Sequence, residues 1–428
     1  FALGASLLET YNLILLGAAA LNGYCCAVLA FYICGNVLFA ACAGLAFMNL
    51  PFFVSQLGHP QLLFAFVLPL GMWATLKAFE LRSAIHASLF GLVFLIAFTT
   101  SVYYALFLAV LVALTVLSRI ALRTSRFFFV DLFYFALANL MWLAPIYFLA
   151  SPYTQVRQLF GARDLFWAKT FAISIYSYFA TPGSNWLWGG ATTDWSNYEG
   201  YLYCSITVVG AVVIALSHCL NLSRHVTASG LAARLLRVFR TCPSVQIVAL
   251  ALLFFSHRAD VGDEKYFASM VVSSVSQLLL LGLSFALVVC LGLVWRSRSE
   301  ENPGRLFSTR SSVIAARRWG FFGYSTDRST FQPLAEAEVL DMREKVALIW
   351  FCAVVFLVLS FGTIFSQSSS LHLLNPYSWL YHYAPGFDAL RVPARLGVVV
   401  VMLLCVLAAV GLAKLSGVCS QFLPTLQP

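Results

Sequence analysis

Two arginines stand four residues apart ahead of the last apolar stretch, in Pro385-Gly386-Phe387-Asp388-Ala389-Leu390-Arg391-Val392-Pro393-Ala394-Arg395. If a helix starts by Leu390, Arg391 and Arg395 share one face, and Pro393 is tolerated in the first turn. Guanidinium groups beside outward-pointing backbone N–H groups make an anion site suited to a phosphate. The competing reading pairs Asp388 and the arginines with each other or with lipid phosphate. A second stretch, Tyr198-Glu199-Gly200-Tyr201-Leu202-Tyr203, also lies immediately before an apolar run. Glu199 there is either a carboxylate stabilised by a helix dipole or an acid facing a ligand, with Tyr203 beside it. A third stretch, Gly58-His59-Pro60-Gln61-Leu62, is followed by Pro69. His59 and Gln61 are either an interfacial His and a helix-capping Gln or polar groups for a donor or acceptor.

The elements that must carry these residues are apolar helices. Apolar residues make up 61% of the 428 residues and charged residues 10%, and mean hydropathy is +0.86. A soluble domain runs at roughly 45–50% apolar and about 25% charged, so this chain would expose apolar surface that water cannot cover. A bilayer span needs about 20 mainly apolar residues. Reading for such runs predicts helices near 12–33, 36–49, 62–79, 84–99, 101–118, 128–150, 203–222, 244–256, 271–295, 346–365 and 397–415. The expected fold is therefore an all-α, polytopic transmembrane helix bundle of about eleven spans. The runs 36–49 and 244–256 are short and read as half-helices or tilted members of a pair. The eleven Cys are scattered, and Cys25, Cys26, Cys34, Cys42, Cys290, Cys352 and Cys405 sit inside apolar runs. No CxxC pair or zinc spacing occurs, so they read as small buried hydrophobes.

Positive charge sets the expected orientation. With residues 1–11 outside, 19 of the 26 Lys and Arg fall in inner loops, as the positive-inside rule prefers. The outer side keeps Arg157, Arg163, Lys169, Arg258, Lys265, Arg391 and Arg395. The net charge of +9 is thus spread over separate cytoplasmic loops without interleaved aromatics, which excludes nucleic acid as a partner. Three regions follow: an N-terminal bundle, 1–222, with the aromatic outer loop 151–202; an insertion, 223–345, with two spans and a basic cytoplasmic loop; and a C-terminal pair, 346–428, with the outer loop 366–396. The sequon Asn221-Leu222-Ser223 falls at the inner end of a span and is expected to stay unglycosylated.

The three polar stretches, in this order and context, resemble a family of bacterial-type multi-spanning proteins with the GT-C glycosyltransferase fold, which act with polyprenyl-phosphate sugars. The likeness lies in His-x-Gln-Leu with a Pro seven or eight residues on, Glu-Gly-x-x-Tyr before a span, and Pro-Gly-Phe-x-x-Leu-Arg-Val-Pro-Ala-Arg before the last one. It covers most of 1–222 and 346–415. The resemblance implies a site on the outer or lumenal face, where sugar moves from a lipid phosphate carrier to an acceptor. It implies an acidic residue in the first outer loop as base or metal ligand. The chain opens at Phe1 directly into an apolar segment and reads as a fragment lacking that loop, with Glu9 at its trailing edge. The catalytic acid is therefore unassigned, and Asp194, Glu199 and Asp388 are the outer acids nearest aromatic surfaces. On this reading His59, Gln61, Glu199, Tyr203, Arg391 and Arg395 contact substrate, and the two arginines hold the leaving phosphate. A carboxylate would deprotonate an acceptor hydroxyl. The partners are membrane lipid and a polyprenyl-phosphate sugar donor. No metal-ligand spacing appears, although the resemblance leaves room for a divalent ion.

Two competitors belong to other classes. A transporter or flippase of lipid-linked substrate would place ionisable or helix-breaking residues at mid-membrane, whereas the polar residues here gather at one face. A non-catalytic membrane protein could keep the fold and lack the chemistry.

Overall fold

The computed structural model describes residues 6–122, 128–161, 164–221, 282, 342–362 and 375–422. The expected spans 244–256 and, apart from Gly282, 271–295, residues 366–374 of the expected outer loop, and Leu222 and Ser223 of the sequon lie outside the described residues. So does the basic loop from 296 up to 341. The described residues form helices and turns, with no strand among them.

The first helix, α1 (Leu7–Cys34), starts where Ser6 Oγ accepts from Glu9 N–H while the Glu9 carboxylate accepts from Ser6 N–H. This reciprocal capping box satisfies two backbone donors, so Glu9 serves as a helix-start residue. Gly35, at φ 70°, ends the helix in the left-handed region that glycine adopts without steric cost. Asn36 then caps α2 (Val37–Met48), and α3 (Pro51–Ser55) follows after a two-residue break. The short run expected at 36–49 is thus one limb of a broken apolar stretch, Val37–Ser55. Next come α4 (Val67–Leu81), α5 (Ala84–Thr100) and α6 (Val102–Leu122).

The helix α7 (Phe128–Phe160) runs ten residues further than the expected 128–150, into the expected outer loop, with Pro145 and Pro152 inside it. The segment beyond it carries the short helices α8 (Leu165–Thr170) and α9 (Gly189–Thr192) and several 3-10 turns. Then come α10 (Ile206–Asn221), α11 (Met342–Ser360), α12 (Pro376–Tyr383) and α13 (Gly397–Phe422). The start of α11 takes 342–345 out of the expected basic loop.

Six described stretches are long and apolar enough to cross a membrane: Leu7–Cys34, Val37–Ser55, Pro60–Leu81, Val102–Ile120, Phe129–Phe160 and Pro393–Ser416. Ala84–Thr100 and Ile206–Ser217 are shorter apolar helices. The core is organised around α13, which is buried from Val398 to Leu403 and from Cys405 to Val410 and packs against α1, α2, α10 and α11. A helix apolar all round needs such an enclosure or lipid. Close backbone approach is built into two of these seams. A Cβ at Gly44 of α2 would sit 2.3 Å from the Gly23 carbonyl oxygen of α1, and one at Gly411 of α13 would sit 1.9 Å from the Ala211 carbonyl oxygen of α10. Small residues at helix interfaces permit this spacing. By contrast, α7 lies at the edge, held to α5 by Trp142 Nε1 donating to Ser88 Oγ at 3.1 Å and to α4 by stacked Phe79 and Phe135.

Long-range polar contacts identify the two ends of the helices. At one end Tyr11 donates to the Leu57 carbonyl, Tyr104 to the Leu62 carbonyl, and the Tyr178 and Ser360 hydroxyls share a hydrogen bond. At the other, Arg82 pairs with Asp131 at 2.9 Å and Lys345 with Glu80 at 3.1 Å. The polar stretches singled out in the sequence all lie at the first end.

Candidate functional site

The expectation that Arg391 and Arg395 share a helical face does not hold. Leu390 is extended, Pro393–Leu396 forms a 3-10 turn, and the regular helix starts only at Gly397. Pro393 disfavours helical backbone at the residue before it, so Val392 is not helical and the register between the arginines is broken. Arg391 is exposed at the surface, while Arg395 turns inward and is buried.

Arg395 meets Glu199. Its Nη2 donates to Glu199 Oε1 at 2.8 Å and its Nε to Glu199 Oε2 at 3.0 Å. This is the bidentate fork that guanidinium and carboxylate geometry favours. Gln56 Nε2 adds a third donor, 3.2 Å from Oε2, and also reaches the Tyr198 carbonyl at 3.4 Å. The guanidinium lies 4.7 Å from the Tyr103 ring centroid, close enough for cation–π attraction. Glu199 is held from its own side as well, because Asn197 Oδ1 accepts from Glu199 N–H and caps the 3-10 turn Tyr198–Gly200. Glu199 therefore does not cap α10, which begins only at Ile206; its charge is neutralised by Arg395. With both oxygens engaged, Glu199 acts as one half of a buried latch between the segment 164–205 and the start of α13.

Asp388, expected as a partner for the nearby arginines, pairs instead with Arg157 at the end of α7: Nη2 donates to Oδ2 at 2.5 Å. Asp388 is buried, and its Oδ1 is enclosed with no hydrogen-bond partner among the described residues. The Arg157 side chain is 61% exposed. Burial, then the Asp388 and Asp164 carboxylates, push the Tyr381 phenol above its ordinary range, so both acids act electrostatically on α12. The turn that presents Asp388 is anchored by Tyr377, whose hydroxyl donates to the Leu390 carbonyl at 2.9 Å and whose ring packs edge-on against Phe387. Asn375 caps α12 and donates to the Gly362 carbonyl at 2.8 Å, linking this turn to α11. Burial likewise raises the Tyr178 phenol, which bonds Ser360 at 2.8 Å.

The other expected residues stand apart from this core. Asp194 is exposed on the 3-10 turn Thr193–Trp195. His59 and Gln61 are exposed at the turn Pro60–Leu62, and Tyr203 is half-buried with its N–H donating to the Ala180 carbonyl at 3.3 Å. Three residues that sequence reading did not single out complete the arrangement: Gln56, Tyr103 and Arg157. Gln56 belongs to the same polar interruption as His59, three residues earlier, and its position at the end of α3 turns it inward. Nothing local distinguishes Arg157 from the other outer basic residues. Among the described residues no group of three His, Cys, Asp or Glu is placed to hold a metal ion.

A second polar cluster lies at the opposite end. Lys345 Nζ is 4.1 Å from the Tyr32 ring centroid and 3.1 Å from the buried Glu80 carboxylate, and Lys77 Nζ lies 4.6 Å from the same ring. These groups qualify the expectation that the polar residues gather at one face, since charge is also packed inside the opposite helix ends. The chain matches no family model, no curated protein and no solved structure.

Proposed function

We propose that the chain is a multi-pass membrane protein of about eleven spans with a GT-C-like arrangement. It moves a sugar from a polyprenyl-phosphate carrier to an acceptor at the membrane face bearing Glu199 and Asp388. The observation that carries this reading is the convergence of two acid–arginine pairs, Glu199–Arg395 and Asp388–Arg157, at the same end of the apolar helices. Each pair joins segments far apart in sequence, so the polar groups at this end have been gathered by the fold. Apolar helices below would hold a polyprenyl tail, and exposed cations above would hold its phosphate.

The bond changes are those of a glycosyl transfer. An acceptor hydroxyl oxygen bonds to the sugar C1, the bond from C1 to the phosphate oxygen breaks, and the hydroxyl proton passes to a carboxylate. Glu199 is unsuited to that last role because Arg395 and Gln56 occupy its oxygens. Asp194 and Asp388 remain, and exposed Arg391 is one of the cations available to the departing phosphate. Reconstituted in lipid vesicles with labelled polyprenyl-phosphate sugars, the protein is expected to release polyprenyl phosphate, and Arg391→Ala is expected to slow release. Failure to cleave any donor would overturn the reading.

A transporter or flippase of lipid-linked substrate is the second reading. It is favoured by the buried Glu80–Lys345 pair at the far end, since buried ion pairs at both ends resemble opposed gates. Substrate crossing the bilayer chemically unchanged would support it over transfer. Neither cleavage nor crossing would leave the non-catalytic protein.

A further inference from the structure

Asp388 and Arg157 form an asymmetric pair. Asp388 is only 7% exposed, and one of its oxygens, Oδ1, is enclosed without a hydrogen-bond partner among the described residues. An enclosed carboxylate oxygen left without a donor is costly. A ligand hydroxyl would supply the missing donor once the exposed Arg157 side chain shifts to admit it. Arg157 has the opposite surplus. One Nη2 bond to Asp388 is its single side-chain hydrogen bond among the described residues, and its side chain is 61% exposed, so donors remain for an anionic oxygen. Its guanidinium is oriented from the buried side by the 2.5 Å contact to Asp388.

We infer that Arg157 and Asp388 together form a binding site for a sugar phosphate: the guanidinium takes a phosphate oxygen and Asp388 Oδ1 accepts the hydroxyl on the neighbouring sugar carbon. The complementarity requires a ligand with an anionic oxygen and a hydroxyl donor side by side. Inorganic phosphate and a diester headgroup without such a hydroxyl satisfy only half of it. Because the two side chains touch, they address adjacent groups of one ligand. A base acting on an incoming acceptor in a direct displacement would stand on the opposite face of the sugar from the phosphate. Asp388 is therefore a binding and positioning residue, and the acid–base role in the proposed transfer falls to another group. This inference rests on the glycosyl-transfer reading for its biological setting, while the site stands on its own geometry.

The test uses the whole protein in nanodiscs of neutral lipid, with glucose 1-phosphate, inorganic phosphate and vesicles containing phosphatidylmethanol, an anionic phosphodiester with no headgroup hydroxyl, as separate probes. Glucose 1-phosphate is expected to bind more tightly than inorganic phosphate. Arg157→Ala is expected to weaken it by about ten- to a hundredfold, the range for losing a charge-assisted hydrogen bond. Arg157→Lys should recover part of that loss. Asp388→Asn, nearly isosteric, should narrow the preference over inorganic phosphate. Unchanged glucose 1-phosphate binding in Arg157→Ala would overturn the site. Equal binding of the two phosphates by wild type, or Arg157-dependent binding only to phosphatidylmethanol vesicles, would overturn the sugar-phosphate assignment. A thermal midpoint for Arg157→Ala near that of wild type separates binding loss from misfolding, and Arg157→Lys provides the same control by a milder change. If Arg157-dependent binding is intact but no donor is ever cleaved, the transfer reading fails and the site stands. Cleavage that is intact in Arg157→Ala sinks the site and leaves transfer in place.

Discussion

Glu199→Ala is expected to destabilise the protein severely, and the structure sets the size. Glu199 is 2% exposed and Arg395 7% exposed, and they are joined by two hydrogen bonds of 2.8 and 3.0 Å. Removing one member of a buried, hydrogen-bonded ion pair strands the other charge away from water, at a cost of about 3–5 kcal/mol. Gln56 offsets only part of this: turning its amide would bring Oε1, enclosed and without a partner among the described residues, toward the guanidinium, but a neutral amide oxygen does not replace a carboxylate. Tyr103 compensates only in part, since a cation–π contact is worth about 0.5–2 kcal/mol. Against a total stability of about 5–15 kcal/mol, the loss would be visible as a large shift in equilibrium unfolding. Tryptophan fluorescence is a suitable probe, as the chain has ten Trp. The decisive comparison is the double variant Glu199→Leu, Arg395→Met. Exchanging both charges for apolar groups of similar size is often neutral or stabilising, so the double variant is expected to regain most of the lost stability. If Glu199→Ala stays within about 0.5 kcal/mol of wild type, the range of ordinary surface changes, the latch does not exist as described. If the double variant shows the simple sum of two single losses, the two residues are not coupled.

Further expectations concern packing and topology. Gly411→Ala would put a Cβ 1.9 Å from the Ala211 carbonyl oxygen, and forcing α10 and α13 apart should cost about 1–3 kcal/mol; unchanged unfolding would refute the close seam. Lys345→Ala leaves Glu80 buried without its partner and should cost about 3–5 kcal/mol, with Lys345→Arg losing less; equal loss in both would mean that packing, not charge, is at stake. In a cysteine-free background, Asp194→Cys and Ser83→Cys should react with an impermeant thiol reagent from opposite sides of sealed vesicles. Labelling of both from one side would contradict the alternation of α4 to α10.

Several elements were legible before any folding was considered. The apolar runs at 12–33, 84–99 and 397–415 correspond closely to α1, α5 and the first part of α13, because span length and uniform hydropathy are properties of consecutive residues. The shortness of 36–49 also carried information, since it marks the broken pair α2 and α3. Boundaries were less legible where polar residues continue a helix: α7 runs on through Ser151, Pro152 and Arg157, which read locally as a loop. The stretches worth attention around Glu199, Asp388 and Arg395 could be found as well, because polar residues are conspicuous next to long apolar runs.

What those residues touch could not be read in the same way. Composition and run length predicted an all-helical, strongly apolar chain with its polar motifs outside the helix centres, and the described residues form helices and turns without a strand. Tertiary structure alone chose Arg395 over Arg391 for Glu199, across 196 residues, and Arg157 over both for Asp388, across 231 residues. It also selected Gln56 over Gln61, although both lie in one short polar interruption. Arg391 and Arg395 look alike on the chain, but the Pro393 turn sends one outward and the other into the core. A buried charge is tolerable only where its counter-charge arrives within hydrogen-bonding distance. Helix packing and backbone direction settle that distance, and no short window of sequence contains either one.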